Sequence, residues 1–179
     1  MRLLLAAVVV LMLSSVALAA PETHQVGPYK VSFDMKTNMK YTNQIANPQS
    51  PLGTINSLLI KTDNSTYALV SITEYKNPID STLQMQGALA FWKMRVSGIN
   101  ATIPTNMTID GKDGYLVSGE PFPGSNAPAG FKEFQAQYWL DSKSYGPVSA
   151  GSVVADIIST YPQDVTMNLL NSIKVVKSA

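Results

Sequence analysis

The sequence predicts an α+β domain built on an antiparallel sheet, and three observations carry that prediction. Segments that alternate apolar and polar residues recur along the chain, Tyr29-Lys30-Val31-Ser32-Phe33-Asp34-Met35 being the clearest, as strands with one buried face require. A stretch of good helix formers from Ser81 to Gly98 interrupts the strands, and a second helical pattern closes the chain after Pro162. Short clusters of Asn, Asp, Gly and Pro lie between the strand segments, where tight turns need them.

The elements follow in order. Met1-Arg2, the apolar run Leu3 to Leu13 and the small-residue end Ala17-Leu18-Ala19 read as a secretory signal peptide over residues 1–19, because export needs a positive start, an apolar middle and an A-x-A end. Residues 20–27 read as a flexible lead to a single domain over 28–179. After the first strand, Tyr29–Met35, the turn-rich Asn47 to Gly53 is a loop, and Ser57 to Thr62 the next strand. Asp63-Asn64-Ser65 forms a hairpin tip, and Thr66 to Tyr75, rich in β-branched and aromatic residues, returns as a central strand that Asn77-Pro78 ends.

Ser81-Thr82-Leu83-Gln84 offers a capping box for the first helix, which stops at Gly98. At 100° per residue, Met85, Ala88, Leu89, Trp92 and Val96 share the side expected against the sheet. Leu83, Gly87, Ala90, Phe91 and Met94 make a second apolar row, to be covered by another layer or loop, or offered to a partner. Asn106 to Ile109 and Gly114 to Gly119 should pair across Asp110-Gly111-Lys112-Asp113 as a hairpin. A Pro/Gly-rich stretch, Glu120 to Gly130, precedes strand Phe131 to Leu140, on which Tyr138 and Trp139 face opposite ways. A turn through Tyr145-Gly146-Pro147, strand Val148 to Ser159 and a helix from Pro162 to about Lys174 complete the chain, with Val165, Leu169, Ile173 and Val176 on the helix's inner side.

The full chain carries a formal charge of +1, and removing the leader takes Arg2 with it, leaving acids and bases balanced. Such a chain lacks the clustered Lys and Arg that phosphate backbones and anionic membranes attract, so no nucleic-acid partner is expected. Cysteine is absent, which removes disulfides, thiolate metal sites and Cys nucleophiles. No second apolar run is long enough to anchor the chain after signal cleavage. Three N-x-[ST] sequons, at Asn64, Asn100 and Asn106, are N-glycosylation candidates in a host that has the machinery.

The order strand Tyr29–Met35, strands to Tyr75, long helix Ser81–Gly98, an antiparallel run to Ser159 and a closing helix around Leu169-Leu170-Asn171-Ser172-Ile173 resembles the PsbP-like superfamily. That resemblance implies an antiparallel sheet sandwiched by helices, a scaffold used mainly for binding. It also resembles small secreted archaeal and bacterial proteins of unknown role. No functional residue of those families has a matching position here.

Chemistry is sparse. The only histidine, His24, lies in the expected lead, where no scaffold would hold it as a base. Asp110 and Asp113 fit hairpin turn chemistry better than an EF-hand, whose ligand spacing they lack. No phosphate-binding glycine motif occurs. No catalytic residues, metal or cofactor are therefore expected. Phe122, between prolines, is either a rigid partner contact or a ring folded over the sheet edge. These readings point to a secreted, non-catalytic binding or adaptor domain at the cell envelope, taking an envelope protein or glycan through Phe122, Leu83, Phe91 and Met94. The alternative is an extracellular small-molecule binder with a pocket between sheet and first helix, lined by Trp92, Met85 and tyrosines.

Overall fold

The computed structural model describes residues 21–141, 143–145 and 148–178. The expected signal peptide, and Gly146-Pro147 of the expected turn, lie outside the described residues. The strands are β1 (Glu22–Val26), β2 (Tyr29–Phe33), β3 (Thr42–Ala46), β4 (Gln49–Ser50), β5 (Gly53–Lys61) and β6 (Tyr67–Ser81). Helix α1 (Leu83–Val96) leads to β7 (Ile99–Ala101), β8 (Thr105–Ile109), β9 (Lys112–Pro121), β10 (Glu133–Trp139), β11 (Lys143–Tyr145) and β12 (Val148–Ser159). Helix α2 (Gln163–Ser172) and β13 (Lys174–Lys177) finish the chain.

The fold class differs from the sequence prediction. Rather than an antiparallel sheet sandwiched by helices, the described residues form a β-rich fold of two antiparallel sheets with two helices. A 10-stranded sheet runs β3-β5-β6-β12-β10-β9-β7, with β4, β8 and β11 pairing at its margins, and a 3-stranded sheet has the order β1-β2-β13. Two segments make the second sheet. The expected lead is strand β1, turned at Gly27 (φ 59°) to pair with β2. The segment Lys174–Lys177, which begins where the expected last helix ends, is β13, which pairs with the other edge of β2. Helix α2 ends at Ser172, close to its expected end near Lys174, and Val176, placed on its inner side by helical spacing, is exposed on β13 while Val175 is buried.

The small sheet and α2 cover one face of the large sheet. Val31 and Phe33 of β2, Ile60, Val70 and Ile72 of β5 and β6, and Leu169 and Ile173 belong to one fully buried cluster. Asp110 fastens these layers. It sits with Gly111 in the tight turn between β8 and β9, both at positive φ, accepts the Val175 amide hydrogen bond at 3.0 Å and pairs with Lys174 at 3.2 Å. The Asp110-Asp113 segment is thus a hairpin turn tied to β13.

Helix α1 lies on the opposite face. Thr82 rather than Ser81 caps it, its hydroxyl accepting from the Met85 amide at 3.1 Å, because β6 continues through Asn77-Pro78 to Ser81. Proline is tolerated there because the β6–β12 register breaks between Gly151 and Val153, leaving residues 75–78 without β12 partners. The helix's orientation is the reverse of the expected one. Gly87, Ala90 and Met94 are buried, whereas Met85, Leu89, Trp92 and Val96 are 58%, 59%, 62% and 87% exposed. Close approach decides it: a Cβ on Gly87 would stand 2.9 Å from the Pro104 Cβ. Small residues let the backbone come near, and Met94 fills the remaining space against Ile99, Ala101, Tyr115 and Val117.

Candidate functional site

Because α1 rests mainly on β7 and β9, the sheet beyond them is left uncovered beneath the helix's other side. A cavity of about 860 Å³ lies there, between α1 and strands β6, β9, β10 and β12. Strand register builds its floor. Tyr115 pairs with Gln137, Gln137 with Asp156, Asp156 with Ser71, and Ser71 with Ser57. Paired residues share a face, so these side chains cross β9, β10, β12, β6 and β5 as one polar row. Trp139, Val154 and Thr73 form the neighbouring row. Leu89, Trp92 and Val96 of α1 provide the apolar roof and rim.

The floor holds polar groups that the protein itself does not satisfy. Gln86, 8% exposed, enters from α1 with neither amide atom hydrogen-bonded. Gln137 Oε1 and the indole nitrogen of Trp139, a residue 4% exposed, also lack partners. Each such group costs about 1–3 kcal/mol when buried, and all three residues line the cavity. Gln137 Nε2 donates to Asp156 Oδ1 at 2.5 Å. Asp156 is otherwise surrounded by protein, with part of its surface facing the cavity. Burial raises its carboxyl pKa to about 6, against the opposing pull of the Gln137 hydrogen bond and the Lys93 ammonium. Burial and the Asp156 charge push the Tyr115 and Tyr75 hydroxyls upward too, and the Tyr75 and Trp139 rings lie 6.3 Å apart. The arrangement suits recognition of a mixed apolar and polar molecule.

The partner-contact candidates do not form one surface. Met94 is fully buried, which removes it as a contact. Phe91 and Phe122 are half-buried on the Arg95 guanidinium, whose carbon lies 5.5 and 5.3 Å from their ring centres. The Phe122 amide also donates to the Gly98 carbonyl at 3.0 Å, folding that loop back on the helix end. Leu83 is half-buried and lines a smaller cavity of about 290 Å³ with Asn106 and Met107. Asn64, Asn100 and Asn106 are all exposed. His24 is held on β1, stacked on Phe33 and 3.1 Å from Glu22, remote in the fold from the α1 cavity.

The pocket between sheet and first helix, expected as the alternative, is present with Trp92, Tyr75 and Tyr115 in its lining, and Met85 outside it. Sequence reasoning missed Gln86, Gln137 and Asp156. A signal existed: Asp156 is the lone charge in Val153-Val154-Ala155-Asp156-Ile157-Ile158, and Gln135 and Gln137 alternate with Phe134, Ala136 and Tyr138.

No protein-family model matches the chain, and no curated protein or solved structure matches it. Among the described residues, no group of three or more His, Asp or Glu could hold a metal ion. No described helix is long and apolar enough to cross a membrane.

Proposed function

We propose that this chain is an exported binding domain that holds a small amphipathic molecule in the cavity between α1 and the large sheet. The observation that carries the proposal is the apolar-roofed cavity itself, whose lining includes Asp156 and three residues with unpartnered buried polar atoms, Gln86, Gln137 and Trp139. Its volume, about 860 Å³, lies within the range of small-molecule sites, roughly 300–1,000 Å³. Export rests on the N-terminal sequence pattern.

A second reading follows from the exposed stripe Met85, Leu89, Trp92 and Val96. This row would seat an apolar patch of an envelope protein, replacing the contact surface that Met94 and Phe91 were expected to supply.

One experiment separates the two. The only two tryptophans of the chain, Trp92 and Trp139, both line the cavity, so their emission reports its occupancy. A neutral phenylnaphthylamine dye should bind saturably and quench them. Ile158→Trp, which fills the cavity from a half-exposed position, should abolish the binding, and Met85→Gln should leave it intact. Dye binding lost in Met85→Gln but kept in Ile158→Trp supports the helix surface instead. No saturable binding in the unaltered protein overturns the pocket.

A further inference from the structure

Asp156, on the cavity floor, contrasts with Asp110 and Glu74, two partly buried carboxylates that carry lysines. Asp110 has Lys174 at 3.2 Å and Lys112 at 3.8 Å, and Glu74 has Lys177 at 3.6 Å. Among the described residues no cation lies within ion-pair distance of Asp156, whose one hydrogen bond comes from the neutral Gln137 amide. The groups facing it are Gln137 from β10, Tyr115 from β9, Tyr75 from β6 and Lys93 from the exposed side of α1. Lys93, an exposed residue that also lines the cavity, acts on Asp156 from beyond ion-pair distance. A carboxylate on the floor of a mostly apolar cavity, lacking a fixed counter-ion, has an unfilled demand for positive charge. The walls add to it, because Tyr75, Trp139, Tyr115 and Trp92 all line the same space, and aromatic faces attract cations.

We infer that the ligand carries a cationic head, an amine or quaternary ammonium, seated against Asp156 among the Tyr75, Trp139 and Tyr115 rings, with its apolar part under Leu89 and Val96. This deepens the pocket reading and rests on it. Because the cation selects the ionised carboxylate, its affinity follows the fraction of Asp156 that is ionised. With a pKa of about 6, that fraction drops about tenfold between pH 7.5 and pH 5.

The test is a series with one tail and three heads, decyltrimethylammonium, decanol and decanoate, below their micelle thresholds, followed by tryptophan quenching. Decyltrimethylammonium should bind at least tenfold tighter than the other two at pH 7.5 and weaken about tenfold at pH 5, while decanol stays constant. Asp156→Asn should erase the preference and keep decanol binding, which also shows that the variant is folded. If decanol or decanoate equals the cation, or if Asp156→Asn keeps the preference, the head-group inference fails and the pocket stands. Decanoate binding best would place the head against Lys93. If no member of the series saturates, the pocket reading itself fails.

Discussion

Replacing Asp156 with Asn should stabilise this protein at neutral pH and leave it unchanged in acid. The carboxyl titrates at about 6 in the fold against a reference of 3.8. Below the lower value both states hold the proton, and the group has no effect on the folding balance. Between the two values the unfolded chain ionises while the fold keeps its proton, so stability falls as pH rises; above about 6 the full cost is present. At 1.36 kcal/mol per pK unit the shift amounts to about 3 kcal/mol, which partial access to the cavity reduces to about 2 kcal/mol. Asparagine preserves the shape and still accepts from Gln137. Urea denaturation of both proteins from pH 4 to pH 7.5 gives the comparison. Only the difference between them is diagnostic, because carboxylates with lowered values, such as Glu22 among its hydrogen-bond donors, change stability in the opposite direction in both proteins. A difference of no more than about 0.5 kcal/mol at pH 4, growing to about 2 kcal/mol in favour of the Asn variant at pH 7.5, is expected. A difference that is flat with pH, or an Asn variant weaker at pH 7.5, would refute the claim that the carboxylate is buried at a cost.

Three further outcomes follow from the same geometry. Gln86→Leu removes two unpartnered buried polar atoms and should raise stability by about 1–2 kcal/mol while weakening dye binding, both read from urea midpoints and fluorescence titration. Asp110→Ala withdraws the acceptor of the Val175 amide and the partner of Lys174; a loss of about 2–4 kcal/mol and faster hydrogen exchange at Val175 are expected. Gly87→Ala forces α1 off Pro104, where the added carbon would stand at 2.9 Å, and should cost about 1–3 kcal/mol in chemical denaturation.

Much of the strand framework was legible because its chemistry is local. Tyr29–Phe33 alternates in burial as its sequence alternates in polarity, and Asp110-Gly111 makes the turn that its residues favour. The second sheet was not legible. Glu22–Val26 and Lys174–Lys177 are short and become strands only by pairing with β2 from both sides, a long-range event that neither segment encodes alone. That pairing turns a helix-covered sheet into two stacked sheets. The face of α1 was misread for a different reason. Both sides of the helix are apolar, so hydrophobicity could not choose between them; the small side chains Gly87 and Ala90 chose.

The same packing choice explains why the candidate site was the least legible part. Once α1 turns Gly87 and Ala90 inward, Gln86 goes in with them, and Trp92 and Leu89 are left over an uncovered floor of Tyr115, Gln137 and Asp156. An apolar row in those positions would give a simpler and more stable contact between helix and sheet, so the local chemistry contradicts the fold where the cavity lies. Conflicts of that kind concentrate at functional sites. The energies agree in scale. Ionising Asp156 costs about 2 kcal/mol, and a ligand present at about a hundred times its Kd returns about 2.7 kcal/mol to the folded state. A cationic ligand would therefore offset the destabilisation that its own binding group introduces, and the empty protein should be the one most stabilised by acid.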